Sequence, residues 1–265
     1  MTFSSTTPPP GTPPTGVVVV GASTPIGRAI TARFVADGAS VVGASLEPAD
    51  DPQLTAHLVA DAATTAGAEE LVTVARDRLG RVDTVVVATA MQRSSPVHLM
   101  TDEHWRASYA GAVDVLFNVA RAVVPHLYHG SAIVAVSTVN ATRPAPWISG
   151  YASAKAAMEG LVRALAVDYA ASGIRCNAVA PGVVFREDGE APVEYPLRRR
   201  TRPADVAEAV HFLGTARSAA ITGVTLPVDG GLGVASPSTA VRPQLAERAA
   251  DRPDPAASDV PDTRT

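Results

Sequence analysis

The chain has 265 residues, 46% hydrophobic and 18% charged, with a net charge of −4. That content supports a sizeable core, and the acidic balance argues against nucleic acid or an anionic membrane as the main partner. The six histidines (57, 98, 104, 126, 129 and 211) show no metal-ligand spacing, so no metal is expected, and the one cysteine, Cys176, excludes an internal disulfide and fits a reducing compartment.

Residues 1–15 are Ser, Thr, Pro and Gly, and residues 235–265 are Pro, Ala, Asp and Arg without periodicity; both read as disordered tails. The N-terminus lacks the basic and apolar segments of a secretory signal. No apolar stretch reaches the roughly 18 residues of a membrane span. A cytoplasmic protein is expected.

Between the tails, short β-branched runs alternate with helical patterns. Val17–Val20 precedes an apolar-periodic Ile26–Val35; Ser40–Val42, a weak strand at His57–Ala60 and a helix over Ala66–Leu79 follow. Val82–Ala88 reads as a buried strand and Glu103–His126 as a long helix. Then come strand Ile133–Val136, helix Gly150–Ala170, strand Ile174–Ala180, helix Ala204–Leu213 and strand Val224–Val228. Strands alternating with helices build βαβ units. The expectation is an α/β fold: one doubly wound, Rossmann-type domain over 16–234, with a parallel sheet of about seven strands and helices on both faces.

Two places carry chemistry. Gly21-Ala22-Ser23-Thr24-Pro25-Ile26-Gly27 lies between the first strand and the first helix, where backbone N–H groups and the helix dipole can meet a pyrophosphate. Glycine there can also serve turn geometry alone. Further on stands the chain's single lysine, Lys155, four residues after Tyr151. Every other basic residue is arginine, which cannot lose its proton near neutral pH. Residues four apart share a helix face, so Tyr151 and Lys155 can address one ligand. An ammonium beside a phenol favours the phenolate and should bring the tyrosine below its ordinary pKa of about 10.

Gly21-x-x-x-Pro25-Ile26-Gly27, Tyr151-x-x-x-Lys155, Asn177-Ala178-Val179-Ala180-Pro181-Gly182 and Val228-Asp229-Gly230-Gly231 occur in this order. Together they resemble the short-chain dehydrogenase/reductase family over about Gly16–Val234. The resemblance implies a bound NADP(H) or NAD(H), with Gly21, Ser23, Thr24, Ile26, Gly27, Ser45, Asp61, Ala88, Lys155, Pro181, Gly182 and Val184 at the cofactor. Asp61 matches the position that meets the adenine amino group, although it could simply cap the following loop. Lys155 would hold the nicotinamide ribose, and Tyr151 would be the general acid/base for a ketone or alcohol of a small-molecule metabolite. The family's orienting serine, thirteen residues before the tyrosine, falls on Thr138, which keeps the hydroxyl; Ser137 stands beside it as a spare.

The departures are specific. Pro25 replaces a glycine and removes one N–H from the turn. The Asn-Asn-Ala-Gly segment reads Val87-Ala88-Thr89-Ala90. The relay asparagine, seven residues after Trp105, is Ala112, which can neither bend the helix around a water nor pass a proton; Asn118 lies partly off that face. Ser45 and Leu46, with Glu47 beyond, replace the acid that would bind a ribose 2′-OH, favouring NADP(H); Arg28 could assist. Arg186, Trp147 and Tyr195 could reach the pocket or simply serve the surface. A ketoreductase is the first reading. A non-redox dehydratase, epimerase or cyclase, or a non-catalytic binding subunit, stays open. The apolar helices at 103–127 and 150–171 should pair between subunits of a homodimer or homotetramer.

Overall fold

The computed structural model describes residues 16–185, 195–235 and 244, so both proposed tails lie almost wholly outside the described residues. Seven strands form one parallel sheet in the order β3-β2-β1-β4-β5-β6-β7. They are β1 (Gly16–Val20), β2 (Ser40–Ser45), β3 (Ala56–Val59), β4 (Thr84–Val87), β5 (Ala132–Val136), β6 (Arg175–Pro181) and β7 (Thr225–Val228). The helices are α1 (Pro25–Ala36), α2 (Thr65–Leu79), α3 (Asp102–Tyr109), α4 (Val115–Val123), α5 (Ser149–Asp168) and α6 (Pro203–Gly214).

The valine runs explain the layering. Successive strand side chains point to opposite faces, and a parallel sheet covered on both sides must be apolar on both. Val17 and Val19 join Val41, Val86, Val134 and Val179 beneath α1 and α6. Val18 and Val20 join Val42, Val85, Val87, Ile133 and Ala135 beneath α2, α4 and α5. Cys176 is fully buried on β6, and burial pushes its thiol up to about 12, so it is packing, not a nucleophile.

Three expectations change. β2 runs on to Ser45, carrying that residue to the sheet's carboxyl edge. β4 covers only Thr84–Val87 of the run Val82–Ala88, and just before it the Asp83 carboxylate accepts from the Gly16 amide at 3.0 Å. The long helix is not uniform: α3 and α4 are joined by a π-helical turn, Ala110–Asp114, in which the Val115 N–H reaches the Ala110 carbonyl. The helical run Asp102–His126 is also long and apolar enough to cross a membrane by length and composition, but half of that apolar window is buried inside the fold.

Strand order reverses between β1 and β4, and ligands of such sheets bind beyond the carboxyl ends at that switch.

Candidate active site

The turn after β1 is held closed by short contacts. The Gly21 and Ala22 amides donate to the Ala44 carbonyl at 2.7 and 3.2 Å, anchoring the turn to β2. Gly21 has φ +88°, and a Cβ there would lie 2.5 Å from the Ala88 carbonyl oxygen. Gly27 lies under the turn, where a Cβ would come within 2.1 Å of the Gly21 carbonyl oxygen. Thr24 caps α1: its hydroxyl accepts from the Gly27 amide at 3.0 Å and donates to the Gly21 carbonyl at 2.8 Å. Pro25 occupies the first turn of α1, where the N–H it lacks would have no partner within the helix. The Arg28 Nε donates to the Ser23 carbonyl at 3.2 Å, laying the guanidinium stem against the turn.

Two cavities open at the carboxyl edge of the sheet. One, of 410 Å³, is lined by Gly21, Ser23, Thr24, Ser45 and Asp61, with Leu46 and Glu47. The other, of 450 Å³, is lined by Ile26, Ala88, Thr138, Tyr151, Lys155, Pro181, Gly182 and Val184, together with Ser137 and Asn140. Thr89 and Ala90 line both, so the cavities meet at the loop after β4. Every expected site residue except Gly27 therefore faces one of these two spaces.

Ser45, where an acid was lacking, has a partner that the sequence did not suggest. Its hydroxyl lies 2.7 Å from His57 Nε2 across the β2–β3 pair, and burial holds the imidazole below its ordinary pKa. Asp61 lines the first cavity, and its carboxylate caps the following loop by accepting from the Ala63 amide at 3.0 Å.

The far end is organised by β5 and α5. Adjacent hydroxyls at the end of β5 serve different purposes: Ser137 donates to Glu159 Oε1 at 2.6 Å, while the Thr138 hydroxyl is hydrogen-bonded to Tyr151. Lys155 is fully buried; its Nζ donates to the Val136 carbonyl at 2.6 Å and the Thr89 carbonyl at 2.8 Å. Burial lowers this ammonium to about 7, with Glu159 opposing the shift.

The expected effect of Lys155 on Tyr151 is not what the structure has. Burial pushes the phenol up, and the bond from Thr138 only partly offsets it. An ammonium turned to two backbone carbonyls, and itself destabilised by burial, does not pull the phenol down.

At Ala112 a π-helical turn forms without an asparagine: Ala112 is buried within it, and the Thr89 hydroxyl donates to the Gly111 carbonyl at 2.9 Å. Asn118 is structural, its amide donating to the Ala63 and Asp114 carbonyls at 2.7 and 2.9 Å. Trp147 is exposed with φ +65°, and Tyr195 is buried edge-on to Phe185; neither lines either of these two cavities. Arg186 lies outside the described residues.

A glycine-turn cleft beyond the carboxyl ends of a doubly wound parallel sheet, ending at a buried lysine, a tyrosine and a hydroxyl, is the arrangement of a nucleotide-binding α/β domain. A family model described as enoyl-(acyl carrier protein) reductase matches residues 21–233. The chain is 32% identical to a glucose 1-dehydrogenase of Gluconobacter oxydans, across 82% of this chain and 91% of that one. It is 28% identical to a 3-oxoacyl-(acyl-carrier-protein) reductase of Thermotoga maritima, covering 81% and 96%. A Brucella melitensis 3-ketoacyl-(acyl-carrier-protein) reductase solved in complex with NADH superposes with a TM-score of 0.75 at 25% identity, covering 83% of this chain and 98% of that one. The chain belongs to the short-chain dehydrogenase/reductase family of oxidoreductases.

Proposed function

We propose that this protein is an NAD(P)-dependent ketoreductase interconverting a carbonyl and an alcohol on a small-molecule metabolite. The observation that carries the reading is the convergence of Thr138, Tyr151 and Lys155 on one 450 Å³ cavity bordered by Pro181–Val184. The resemblance to 3-oxoacyl reductases supports a carbonyl substrate.

The residues present fit a dinucleotide. Gly21 and Gly27 keep the turn free of Cβ atoms that would collide with the backbone, and Ile26, in the first turn of α1, lines the cleft. Gly21, Ser23, Thr24, Ser45 and Asp61 would hold the adenosine and phosphate half; Ala88, Lys155, Pro181, Gly182 and Val184 would hold the nicotinamide half. Bound nicotinamide dinucleotide supplies the hydride. With no carboxylate at Ser45, a 2′-phosphate meets no first-line repulsion there, which favours NADP(H) over NAD(H).

Thr138 orients the carbonyl oxygen and Tyr151 gives it a proton as negative charge develops. A phenol raised by burial remains protonated at neutral pH, the form that reduction requires. In the reverse direction the same oxygen takes the proton from the alcohol. A non-redox reading rests on Ala112, which has no group to pass a proton.

The test is fluorescence titration with NADPH and NADH, then a carbonyl screen comparing wild type with Tyr151→Phe. NADPH binding with Tyr151-dependent consumption is the expected result. Binding without turnover of any carbonyl moves the balance to the non-redox reading, and no binding of either cofactor overturns both. The protein is further proposed to be cytoplasmic and to assemble as a homodimer or homotetramer through the helices at 103–127 and 150–171.

A further inference from the structure

Asn140 follows Thr138 by two residues and lines the same cavity. Its side chain has a determined orientation. The Ala145 amide can only donate, and it meets Asn140 Oδ1 at 3.0 Å. The other end of the amide, Nδ2, therefore faces Thr138 and donates to its Oγ1 at 3.3 Å. The Asn140 backbone N–H donates to the same oxygen at 3.2 Å.

A threonine hydroxyl has two acceptor positions and one hydrogen to give. Asn140 fills both acceptor positions. Thr138 is left with its O–H alone, and that hydrogen can go only to an acceptor: the Tyr151 oxygen in the free protein, or a carbonyl oxygen lying between the two. We propose, on the ketoreductase reading above, that Asn140 is a positioning residue that fixes Thr138 as an obligate donor, so that Thr138 polarises the substrate oxygen and Tyr151 cannot spend its own proton on Thr138.

A hydroxyl donating to the phenolic oxygen favours the phenolate. Were Thr138 the acceptor, the bond would hold the phenol's proton in place and compete with its delivery to substrate. The loop 140–145 thus does two things with one amide. Its oxygen ties down Ala145 and its nitrogen sets the polarity of the site.

Asn140→Leu is neutral and similar in size, and it frees one acceptor position on Thr138. The expected result is a fall in kcat of about tenfold, with NADPH affinity unchanged. The ultraviolet titration of Tyr151, isolated by subtracting Tyr151→Phe, should shift to higher pH. Neither effect should persist in a Thr138→Ala background, because there the hydroxyl that Asn140 orients is gone. Additive losses in Asn140→Leu and Thr138→Ala would instead mean that Asn140 acts independently, and would overturn the proposal. Asn140→Asp keeps the acceptor for Ala145 but has no donor for Thr138; wild-type kcat in that variant would also overturn it. If the wild type turns over no carbonyl, the ketoreductase reading fails by itself, while the phenol titration and its dependence on Thr138 still decide the role of Asn140.

Discussion

The Thr89 hydroxyl donates to the Gly111 carbonyl at 2.9 Å, joining the loop after β4 to the π-helical turn at which Ala112 sits. The same residue's carbonyl accepts from Lys155 at 2.8 Å. One threonine thus contacts both the π-helical turn and the buried ammonium. Thr89→Val keeps the shape and the carbonyl but removes the hydroxyl. It should cost about 1 kcal/mol in a denaturant melt, and Thr89→Ser should recover most of that. Equal stability in all three proteins would show that the π-helical turn needs no side-chain support.

Lys155 makes stability depend on pH with a definite sign. Its folded pKa, about 7, lies below the ordinary 10.5. At pH values between these two, the unfolded chain holds a proton that the folded chain has released, so folding is favoured increasingly as pH rises across this window. Below about 7 both states are protonated and the burial penalty is felt in full. Lys155→Met should therefore flatten the rise in Tm between pH 7 and 10 relative to wild type. Glu159→Gln removes a group that raises Lys155, so the start of the rise should move to lower pH. Parallel Tm profiles in wild type and Lys155→Met would contradict this assignment.

Gly27 has no room for a side chain, since a Cβ would lie 2.1 Å from the Gly21 carbonyl oxygen and 2.8 Å from its carbon. Both neighbours are backbone, so relief requires the turn itself to move. Gly27→Ala should abolish detectable cofactor binding by fluorescence and destabilise the fold by roughly 1–3 kcal/mol, as overpacking does. Gly38→Ala is the matched control: φ there is +84° but nothing lies within 4 Å, so its cost is backbone strain alone and cofactor binding should survive.

Cofactor preference turns on Ser45. A carboxylate there would repel a 2′-phosphate and accept from a ribose 2′-OH. Ser45→Asp should change the ratio of NADH to NADPH affinity by about tenfold or more toward NADH. The variant also faces His57 in place of a hydroxyl, and a carboxylate beside it should raise that imidazole's pKa. An unchanged ratio in paired titrations would remove Ser45 from cofactor selection.

Assembly is testable on the long helix. Trp105 on α3 and Phe117 on α4 are both large, apolar and more than 40% exposed. If this helix pairs between subunits, these rings are covered in the assembly. Light scattering should give a dimeric or tetrameric mass for wild type and a smaller one for Trp105→Glu combined with Phe117→Glu. A monomeric wild type would rule out the pairing.

Much of this protein is written locally. Valine runs at 17–20 and 85–87 read as buried strands, and the helices between them follow from their apolar period. The order of these elements determines a parallel, doubly wound sheet, and the glycine turn and the Tyr151–Lys155 spacing mark its two ends of chemistry, because each depends on residues only a few positions apart.

What the sequence could not supply depends on chain segments brought together from a distance. Thr89 meets Lys155 across 66 positions, Ser137 meets Glu159 across 22, and Ser45 meets His57 on the neighbouring strand. Asn140 lies only two residues from Thr138, but its role depends on which end of its amide Ala145 takes. The state of Tyr151 was likewise decided by burial, which outweighs the neighbour that spacing had made prominent. Periodicity and turn chemistry act within a few residues and so are legible in one dimension. Desolvation and hydrogen-bond satisfaction depend on everything packed around an atom, and only the folded chain sets that.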